Sequence, residues 1–511
     1  MFHRRIMRHL KRVCDIMRIH VDSVRWQSKG CTRSRITDTR EVQHCSRKNT
    51  NRTDGVSLAG IVREYQQSYR DGLHDQLKSF RQEDSLRDAI ERAAHARRPD
   101  GKRYDHQRRI LRKALDAAAS KLASEPAFAQ VSTCEDFEAL HHYIVSEIGS
   151  IEHIGPLMIY DTALRIGAKL GLRPTRVYLH QGARLGAKAL GLNYRRPHIE
   201  RSEFPPELQS LDPCEIEDCL CIFKKRLNLR KLLYARLRQR ASHSSVPKSL
   251  PVLFFGDLFT AHVATVGLNP SDREYVDKQG LELEGAERRF ETLTSLHATD
   301  RPSLTDEQCD RAIQTMREYY QPGKPIYTWF RPLARVTSAM GFSYAKGEVA
   351  HLDLAQEATK PTWSRLSQTS PAEFDALRST DLPFLRWLLE ESPLHTVICN
   401  GRTVIDEVCR LIGGQITKKG KLQRITWYIG KAALNGRTIW LAGWNIPLAH
   451  PTGLGAAGEQ ELGRILTSQC PENLNELAAP AIATCVLDNQ RRNTWWPDCG
   501  HRQSRDDLLV T

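Results

Sequence analysis

Two short segments, far apart in the chain, combine polar side chains with stiff turns at the ends of apolar runs. Residues 263–271 have the sequence VATVGLNPS, a β-branched stretch typical of a buried strand that ends in a Gly-x-Asn-Pro turn. Because Pro270 has no N–H and fixes φ, this turn holds the amide of Asn269 in one place. Residues 449–454 have the sequence AHPTGL, follow a second apolar run and contain His450. Open α/β sheets place their chemistry on such strand ends, so the pair predicts a catalytic or binding site.

The elements that must position these residues alternate between strand and helix after residue 250. Strand patterns lie at 252–255, 263–268, 349–354, 396–399 and 438–444, and a helical pattern lies at 403–412. Such alternation predicts an α/β fold, with a parallel sheet covered by helices on both faces.

The rest of the chain divides by period and composition. Residues 56–235 repeat apolar side chains at intervals of three and four, which predicts an all-α domain. A polar, serine-rich stretch at 236–250 predicts a linker before the α/β domain at 251–468. Periodicity fades in residues 469–511, which are predicted to form a tail.

The net charge of +15 is distributed unevenly. Residues 1–53 contain fourteen Lys and Arg, with Arg4 and Arg5 near the start, against four acidic residues. This composition predicts a basic, disordered arm at 1–55 that binds phosphate. An arginine-rich, acid-poor start also fits a transit peptide, or a start codon assigned upstream of the true domain. The sequence has no apolar run long enough for a membrane span and no signal peptide, so we expect a cytoplasmic protein without a membrane partner.

Together the two segments resemble the signature motifs of the uracil-DNA glycosylase superfamily, whose members flip a base out of DNA and cut its glycosidic bond. The resemblance covers about residues 250–468. It implies that Asn269 positions the attacking water, that His450 stabilises the departing base anion, and that Gly267 belongs to the base pocket. An asparagine orients water but cannot accept its proton, which favours a mechanism based on leaving-group stabilisation. The alternative is that Asn269 only caps its turn.

The second motif implies two contacts to DNA beside the base pocket. Thr452 stands where the superfamily has a serine, and it keeps a hydroxyl that can hold a phosphate. Leu454, four residues after His450, stands where the family places a wedge that fills the space left by the flipped base. Gly453 replaces the common proline and loosens this loop.

A third segment, at 348–354, is an apolar strand interrupted by His351 and Asp353. The resemblance assigns Asp353 to the base-reading position, where the uracil-specific branch has an asparagine. A carboxylate accepts a hydrogen bond from the N4 amine of cytosine and repels O4 of uracil, so Asp353 favours cytosine-type bases. Two alternatives stay open: a protonated carboxyl that donates to O4 of uracil, or a carboxylate that caps the next helix.

Further positions bear on the identity of the base. Ser271 replaces a tyrosine that blocks bulky C5 groups in the uracil branch, so a C5-substituted base would fit. Phe290 is the predicted ring that stacks on the flipped base, with core packing as the alternative. Trp329 and Phe330 are candidates for the pocket wall or for the core.

Within the helical domain, residues 151–163 resemble a helix-hairpin-helix element, which grips DNA phosphates through helix N-termini. Gly155 lies in its turn, although the second glycine of the usual hairpin is Leu157 here. An ordinary turn between two helices, with Gly155 as C-cap, is the alternative.

The cysteines are scattered, and only Cys214, Cys219 and Cys221 lie close together, in a predicted helix start. Some members of the superfamily hold an iron–sulfur cluster. No fourth ligand lies at metal spacing nearby, so reduced core cysteines are favoured. We expect neither a cofactor nor a metal.

These patterns predict a monofunctional DNA glycosylase that acts on double-stranded DNA as a monomer and leaves abasic sites. No lysine stands out as a Schiff-base nucleophile, so lyase activity is not expected. Asp353 and Ser271 favour a C5-modified cytosine, such as the glucosylated hydroxymethylcytosine of phage DNA. The superfamily includes antiviral members that attack such DNA, so the resemblance implies a role in antiviral defence. The alternatives are a uracil or mismatch repair glycosylase and a DNA-binding protein without catalysis.

Overall fold

The computed structural model of the chain describes residues 56–448 and 454–470. The predicted basic arm with Arg4 and Arg5, the loop with His450 and Thr452, and the chain from residue 471 onward lie outside the described residues. None of the helices within the described ranges has the length and apolar content needed to cross a membrane.

The described chain begins with α-helices, as the helical period predicts. They are α1 Leu58–Ser68, α2 Arg70–Arg81, α3 Leu86–Ala94, α4 Arg112–Leu122, α5 Glu125–Ser132, α6 Phe137–Ile148, α7 Pro156–Leu170, α8 Gln181–Ala189 and α9 Pro213–Leu237. A short antiparallel pair, β1 Arg176–Tyr178 and β2 His198–Glu200, flanks α8 in the sequence.

Helix α9 continues past the predicted domain boundary at residue 235, and the chain after it differs from a solvated linker. Ser244, Ser245 and Ser249 are all buried. Arg236, near the end of α9, is also buried, and its guanidinium donates to the carboxylate of Asp381 at 2.7 Å. A polar composition that suggested a flexible segment therefore belongs to a buried hydrogen-bonding layer.

A six-stranded sheet forms the centre of the second half of the chain. Its strands are β3 Val263–Gly267, β4 Val349–Asp353, β5 Thr396–Asn400, β6 Gln415–Leu422, β7 Ile425–Leu434 and β8 Arg437–Trp444. The spatial order is β4-β3-β5-β8-β7-β6. The first four strands run parallel, and β7 pairs antiparallel with β8 on one side and with β6 on the other. The prediction of an α/β fold with a mainly parallel sheet is confirmed. Every residue of β3, β4 and β5 is buried, as in a sheet covered on both faces.

The remaining helices are α10 Asp306–Arg317, α11 Phe330–Ala339, α12 Trp363–Thr369, α13 Pro371–Glu391, α14 Arg402–Ile412 and α15 Gly455–Gln469. Helix α14 confirms the helix predicted at 403–412. The strand predicted at 252–255 is wrong: this apolar segment is buried, but it joins the sheet only through an isolated bridge between Phe255 and His351.

The sheet has a topological switch point at β3. This strand comes first in the chain, and the next two strands, β4 and β5, lie on its two opposite sides. The connection after β3 leads to one side of the sheet and the connection after β5 leads to the other, so a crevice opens between the carboxyl ends of these two strands. Ligands of open α/β sheets bind in crevices of this kind.

Candidate active site

A cavity of about 500 Å³ lies at the carboxyl ends of β3, β4 and β5. Its polar lining includes Asn269, Ser271, Glu274, His351, Asp353 and Asn400. Its aromatic lining comes from Phe255, Tyr327, Trp329, Phe330 and Trp363. The structure thus brings Asn269, Ser271, Gly267 and Asp353 together, and the size is typical of a small-molecule site.

Asn269 is fixed by its own amide nitrogen. Nδ2 donates to the carbonyl oxygens of Pro270 at 3.0 Å and Glu357 at 3.1 Å, and it lies 3.2 Å from Oγ1 of Thr359. Two carbonyl oxygens around one atom identify it as the nitrogen, because a carbonyl can only accept. Oδ1 is then left as an acceptor, with no donor among the described residues, so it can accept a hydrogen bond from a water molecule in the cavity.

Asp353 ends β4 and belongs to a chain of buried polar groups. Its Oδ1 lies 3.3 Å from Nε2 of His351, whose Nδ1 lies 2.8 Å from Oγ1 of Thr265. The Thr265 hydroxyl lies 2.7 Å from that of Tyr344. Each contact can pair one donor with one acceptor if His351 donates to Asp353 and accepts from Thr265. Oδ2 of Asp353 has no donor among the described residues, so it is available to a ligand.

Asp353 does not cap a helix, because the next helix, α12, begins ten residues later at Trp363. Its position instead depends on Gly267 in the neighbouring strand. A Cβ at Gly267 would lie 2.5 Å from Oδ1 of Asp353 and 3.2 Å from the His351 ring. The glycine of the first motif therefore leaves the space that these two side chains occupy.

Glu274 is a cavity residue that the sequence did not reveal. Its carboxylate is buried, and its two oxygens lie 3.0 and 2.9 Å from the hydroxyl of Tyr319. Burial raises the pKa of Glu274 to about 8, against the opposing effects of Arg289 and the Tyr319 hydrogen bond, and the charge of Asp353 adds to the rise. Glu274 therefore holds a proton at neutral pH. No sequence signal pointed to this residue, because its shift comes from distant packing partners.

Asn400 ends β5 as Asn269 follows β3. Its Oδ1 accepts from Nε1 of Trp444 at 2.9 Å and from the backbone N–H of Leu448 at 3.0 Å. These two donors fix the amide, and Nδ2 is left without an acceptor among the described residues. The sequence held a signal for it, since an asparagine directly follows the strand predicted at 396–399. Pro447 also lines the cavity, so the chain enters the loop of the second motif at this site.

Phe290 does not line the cavity, and the prediction that it stacks on a base is wrong for this structure. It is 1% exposed and lies inside an aromatic cluster, stacked on Tyr319 with ring centroids 5.1 Å apart. The rings that do face the cavity include Trp329, which is half-buried and meets the His351 ring edge-on at 5.4 Å.

Ser271 lines the cavity with a small side chain. Its Oγ accepts from the backbone N–H of Arg273 at 3.1 Å, which caps a single 3₁₀ turn.

Leu454, the predicted wedge, is 6% exposed and packs in the main hydrophobic core where α15 begins. A wedge must project from the surface, so the structure contradicts this assignment for Leu454.

Two helices, α6 and α7, and a turn lie where the helix-hairpin-helix element is predicted. Gly149 is the C-cap of α6, and Gly155 is the N-cap of α7 with φ −97° and ψ 172°. The alternative that made Gly155 a C-cap is therefore wrong. DNA binding by this hairpin stays a prediction.

Cys214 and Cys219 are buried in α9, and Cys221 is half-buried there.

We compared the chain with models of protein families, with curated proteins and with solved structures, and none of them matched.

Proposed function

We propose that the chain is a DNA glycosylase that flips a C5-modified cytosine out of double-stranded DNA and hydrolyses its glycosidic bond, without lyase activity. The observation that carries the proposal is the convergence of Asn269 and Asp353 in one aromatic cavity at the switch point of the sheet. Each offers an oxygen acceptor for which residues 56–448 and 454–470 supply no donor. Release of modified bases from phage DNA would serve antiviral defence.

The chemistry follows from where charge develops. As the bond between C1′ and the base breaks, the sugar becomes oxocarbenium-like and the base leaves as an anion. Oδ1 of Asn269 orients the water that adds to C1′, while the imidazole of His450 donates to the departing base. Bulk solvent takes up the proton that the water loses, because an amide cannot accept it.

Recognition of the base relies on matched donors and acceptors. Oδ2 of Asp353 accepts from the N4 amine of cytosine, and Nδ2 of Asn400 supplies a donor for the O2 carbonyl. Aromatic rings, among them Trp329 and Trp363, supply the surfaces on which a flipped base stacks. Ser271 leaves room for a substituent on C5.

Glu274 supports a second candidate, a uracil repair glycosylase. A carboxyl that holds its proton up to a pH of about 8 is a neutral donor in the same cavity, and it could donate to O4 of uracil. Both candidates share the hydrolytic step and differ in the base that they accept.

The test is base release from otherwise identical duplexes that contain uracil, cytosine, hydroxymethylcytosine or glucosylated hydroxymethylcytosine at one position. We expect abasic sites with the glucosylated base and little action on uracil. Asn269→Ala should bind the same duplexes but release base about 10²–10³ times more slowly. Preference for uracil would favour the repair enzyme, and release of no base from any duplex would refute both candidates.

A further inference from the structure

The hairpin of β6 and β7 carries an exposed row of positive charge. Residues 415–424 include Lys418, Lys419, Lys421 and Arg424 and contain no acidic residue. All four cations are exposed. Strand β6 is an edge strand, exposed along most of its length, so its two faces lack the apolar alternation of a half-buried strand.

These cations are left without counter-charges. None of Lys419, Lys421 and Arg424 forms an ion pair or a side-chain hydrogen bond within the described part of the chain, whereas Nζ of Lys418 donates to the carbonyl oxygen of Gln469 at 3.3 Å. Side chains alternate along a strand, so Lys419 and Lys421 share the face opposite to Lys418. Edge lysines also prevent strands of different molecules from pairing, which by itself would explain lysines anywhere along β6.

The register of the sheet sets the hairpin tip at the edge where the cavity opens. Asn400 of the cavity, at the end of β5, pairs with Trp444 of β8. Trp444 pairs with Trp427 of β7, and Trp427 pairs in turn with Gly420 of β6. The turn after Gly420 therefore lies beyond the carboxyl ends of the parallel strands, and Lys421 and Arg424 lie on it or beside it. Protection of an edge strand does not require this placement.

The distance along the sheet fits a nucleic acid that crosses the cavity. Strand β6 is three strands away from β5 and four away from β3. At about 4.8 Å per strand, that is roughly 14–19 Å. Phosphates of one DNA strand follow each other at about 3.4 Å along the helix axis, so this span corresponds to roughly four to six nucleotides.

The hairpin is held in shape by a close contact between its strands. Gly420 has no side chain, and the indole of Trp427 lies over it so closely that a Cβ would overlap the ring. The backbone N–H of Thr426 also donates to Oδ1 of Asn445, just beyond β8, at 2.8 Å. The charges at the tip are thus carried on a fixed support beside the cavity.

We propose that Lys419, Lys421 and Arg424 bind phosphates of the DNA duplex, about four to six nucleotides from the nucleotide that enters the cavity. This inference rests on the proposed function, because it assumes that the cavity receives a nucleotide from the same DNA. It makes the hairpin a sequence-independent contact that orients the duplex over the cavity.

The test is the salt dependence of binding to a 30-base-pair duplex, for the full chain and for a Lys419→Gln/Lys421→Gln/Arg424→Gln variant. Each lost phosphate contact should reduce the slope of log K against log salt by about 0.9, so the triple variant should lose about 2–3 from the slope. The matched control is Lys418→Gln, on the opposite face, which should retain the wild-type slope. On duplexes that end three nucleotides from the target on the side of the hairpin, the triple variant and the wild type should bind alike.

The outcomes separate the two proposals. Equal slopes for the triple variant and the wild type would overturn the phosphate contact whether or not base is released. So would a loss with Lys418→Gln as large as the loss per substituted cation in the triple variant, about 0.9. Self-association of the triple variant with an unchanged slope would assign the lysines to edge protection instead. A reduced slope in a chain that releases no base from any duplex would keep the phosphate contact and refute the glycosylase.

Discussion

Three polar side chains of the cavity each have one atom held by the protein and one atom left for a ligand. Asn269 is held through Nδ2 and presents an acceptor, whereas Asn400 is held through Oδ1 and presents a donor. Asp353 is held through His351 on one oxygen only. Such preorganisation matters because groups that do not need to reorient stabilise developing charge without a reorganisation cost.

Substitution of Asp353 tests base identity. One good or wrong polar contact to a base edge is worth about 1–3 kcal/mol, a factor of roughly 5–150. Asp353→Asn should slow release of cytosine derivatives by such a factor and should raise release of uracil, since the amide presents a donor to O4. Ser271→Tyr should abolish release of bases with a large C5 group and spare plain ones. Single-turnover rates on the four duplexes provide the measurement, and an unchanged ranking with Asp353→Asn would remove this residue from base reading.

Glu274 gives a pH dependence whose sign follows from its raised pKa. The unfolded carboxyl loses its proton near pH 4.5 and the folded one near pH 8, so the folded state binds more protons between these values. The contribution of Glu274 to the free energy of unfolding is therefore fully present below about pH 4.5 and is lost as the pH rises to about 8. In Glu274→Gln this decline should disappear from urea unfolding midpoints measured between pH 5 and pH 8. Glu287→Gln, at an exposed position, should retain the decline; its loss there too would contradict the assignment.

At the scale of elements, apolar patterns predicted the four parallel strands of the sheet but missed β7, which also contributes to the core. The strands β3, β4, β5 and β8 have nearly the predicted bounds, because buried parallel strands are continuous apolar runs. The hairpin was missed because β6 is a lysine-rich edge strand without alternation. Residues 252–255 were assigned to a strand because an apolar run indicates burial, and burial does not require ladder pairing.

A buried ion network links the elements around the cavity. Glu357 accepts from Arg301 at 2.8 and 2.9 Å and from Arg236 of α9 at 3.3 Å, and its backbone carbonyl accepts from Asn269. Burial alone would raise the pKa of Glu357, but the two arginines outweigh it and hold this pKa below its usual value. Arg301 and Glu357 thus support Asn269, the residue that we propose positions the water.

Removal of the Glu357 charge should therefore affect both stability and rate. Glu357→Gln leaves Arg301 and Arg236 without their shared anion, and breaking a buried pair costs about 3–5 kcal/mol. Urea unfolding should show this loss of stability. The single-turnover rate of base release by the folded variant should also fall, because Asn269 is displaced. The control is Glu373→Gln, which weakens hydrogen bonds to Ser244. This variant should lose less stability and less of the release rate than Glu357→Gln. Normal release rates in a destabilised Glu357→Gln protein would show that the buried ion network stabilises the fold but does not position Asn269.

At the scale of the whole molecule, the order of motifs predicted which strand ends meet, but not what surrounds them. Asn269, Ser271 and Asp353 meet because parallel strands share their carboxyl edge. The walls come from segments such as 327–330 and 359–364, whose place depends on long connections that carry no local pattern. Phe290 was misplaced for the same reason, since an aromatic residue at a suitable distance in sequence packs equally well behind a cavity.

The distribution of charge predicts which parts of the whole chain would supply affinity for the proposed DNA partner. Residues 1–53 carry fourteen Lys and Arg against four acidic residues, and phosphate contacts release counterions in proportion to their number. Deletion of residues 1–53 should flatten the slope of log K against log salt by several contacts at about 0.9 each, while the single-turnover rate on saturating DNA stays the same. Deletion of residues 471–511, which carry four arginines and six acidic residues, removes a segment of similar length without excess positive charge and should not flatten the slope. Equal slopes with and without residues 1–53 would remove the arm from DNA binding and leave affinity to the helical part and to the hairpin of β6 and β7.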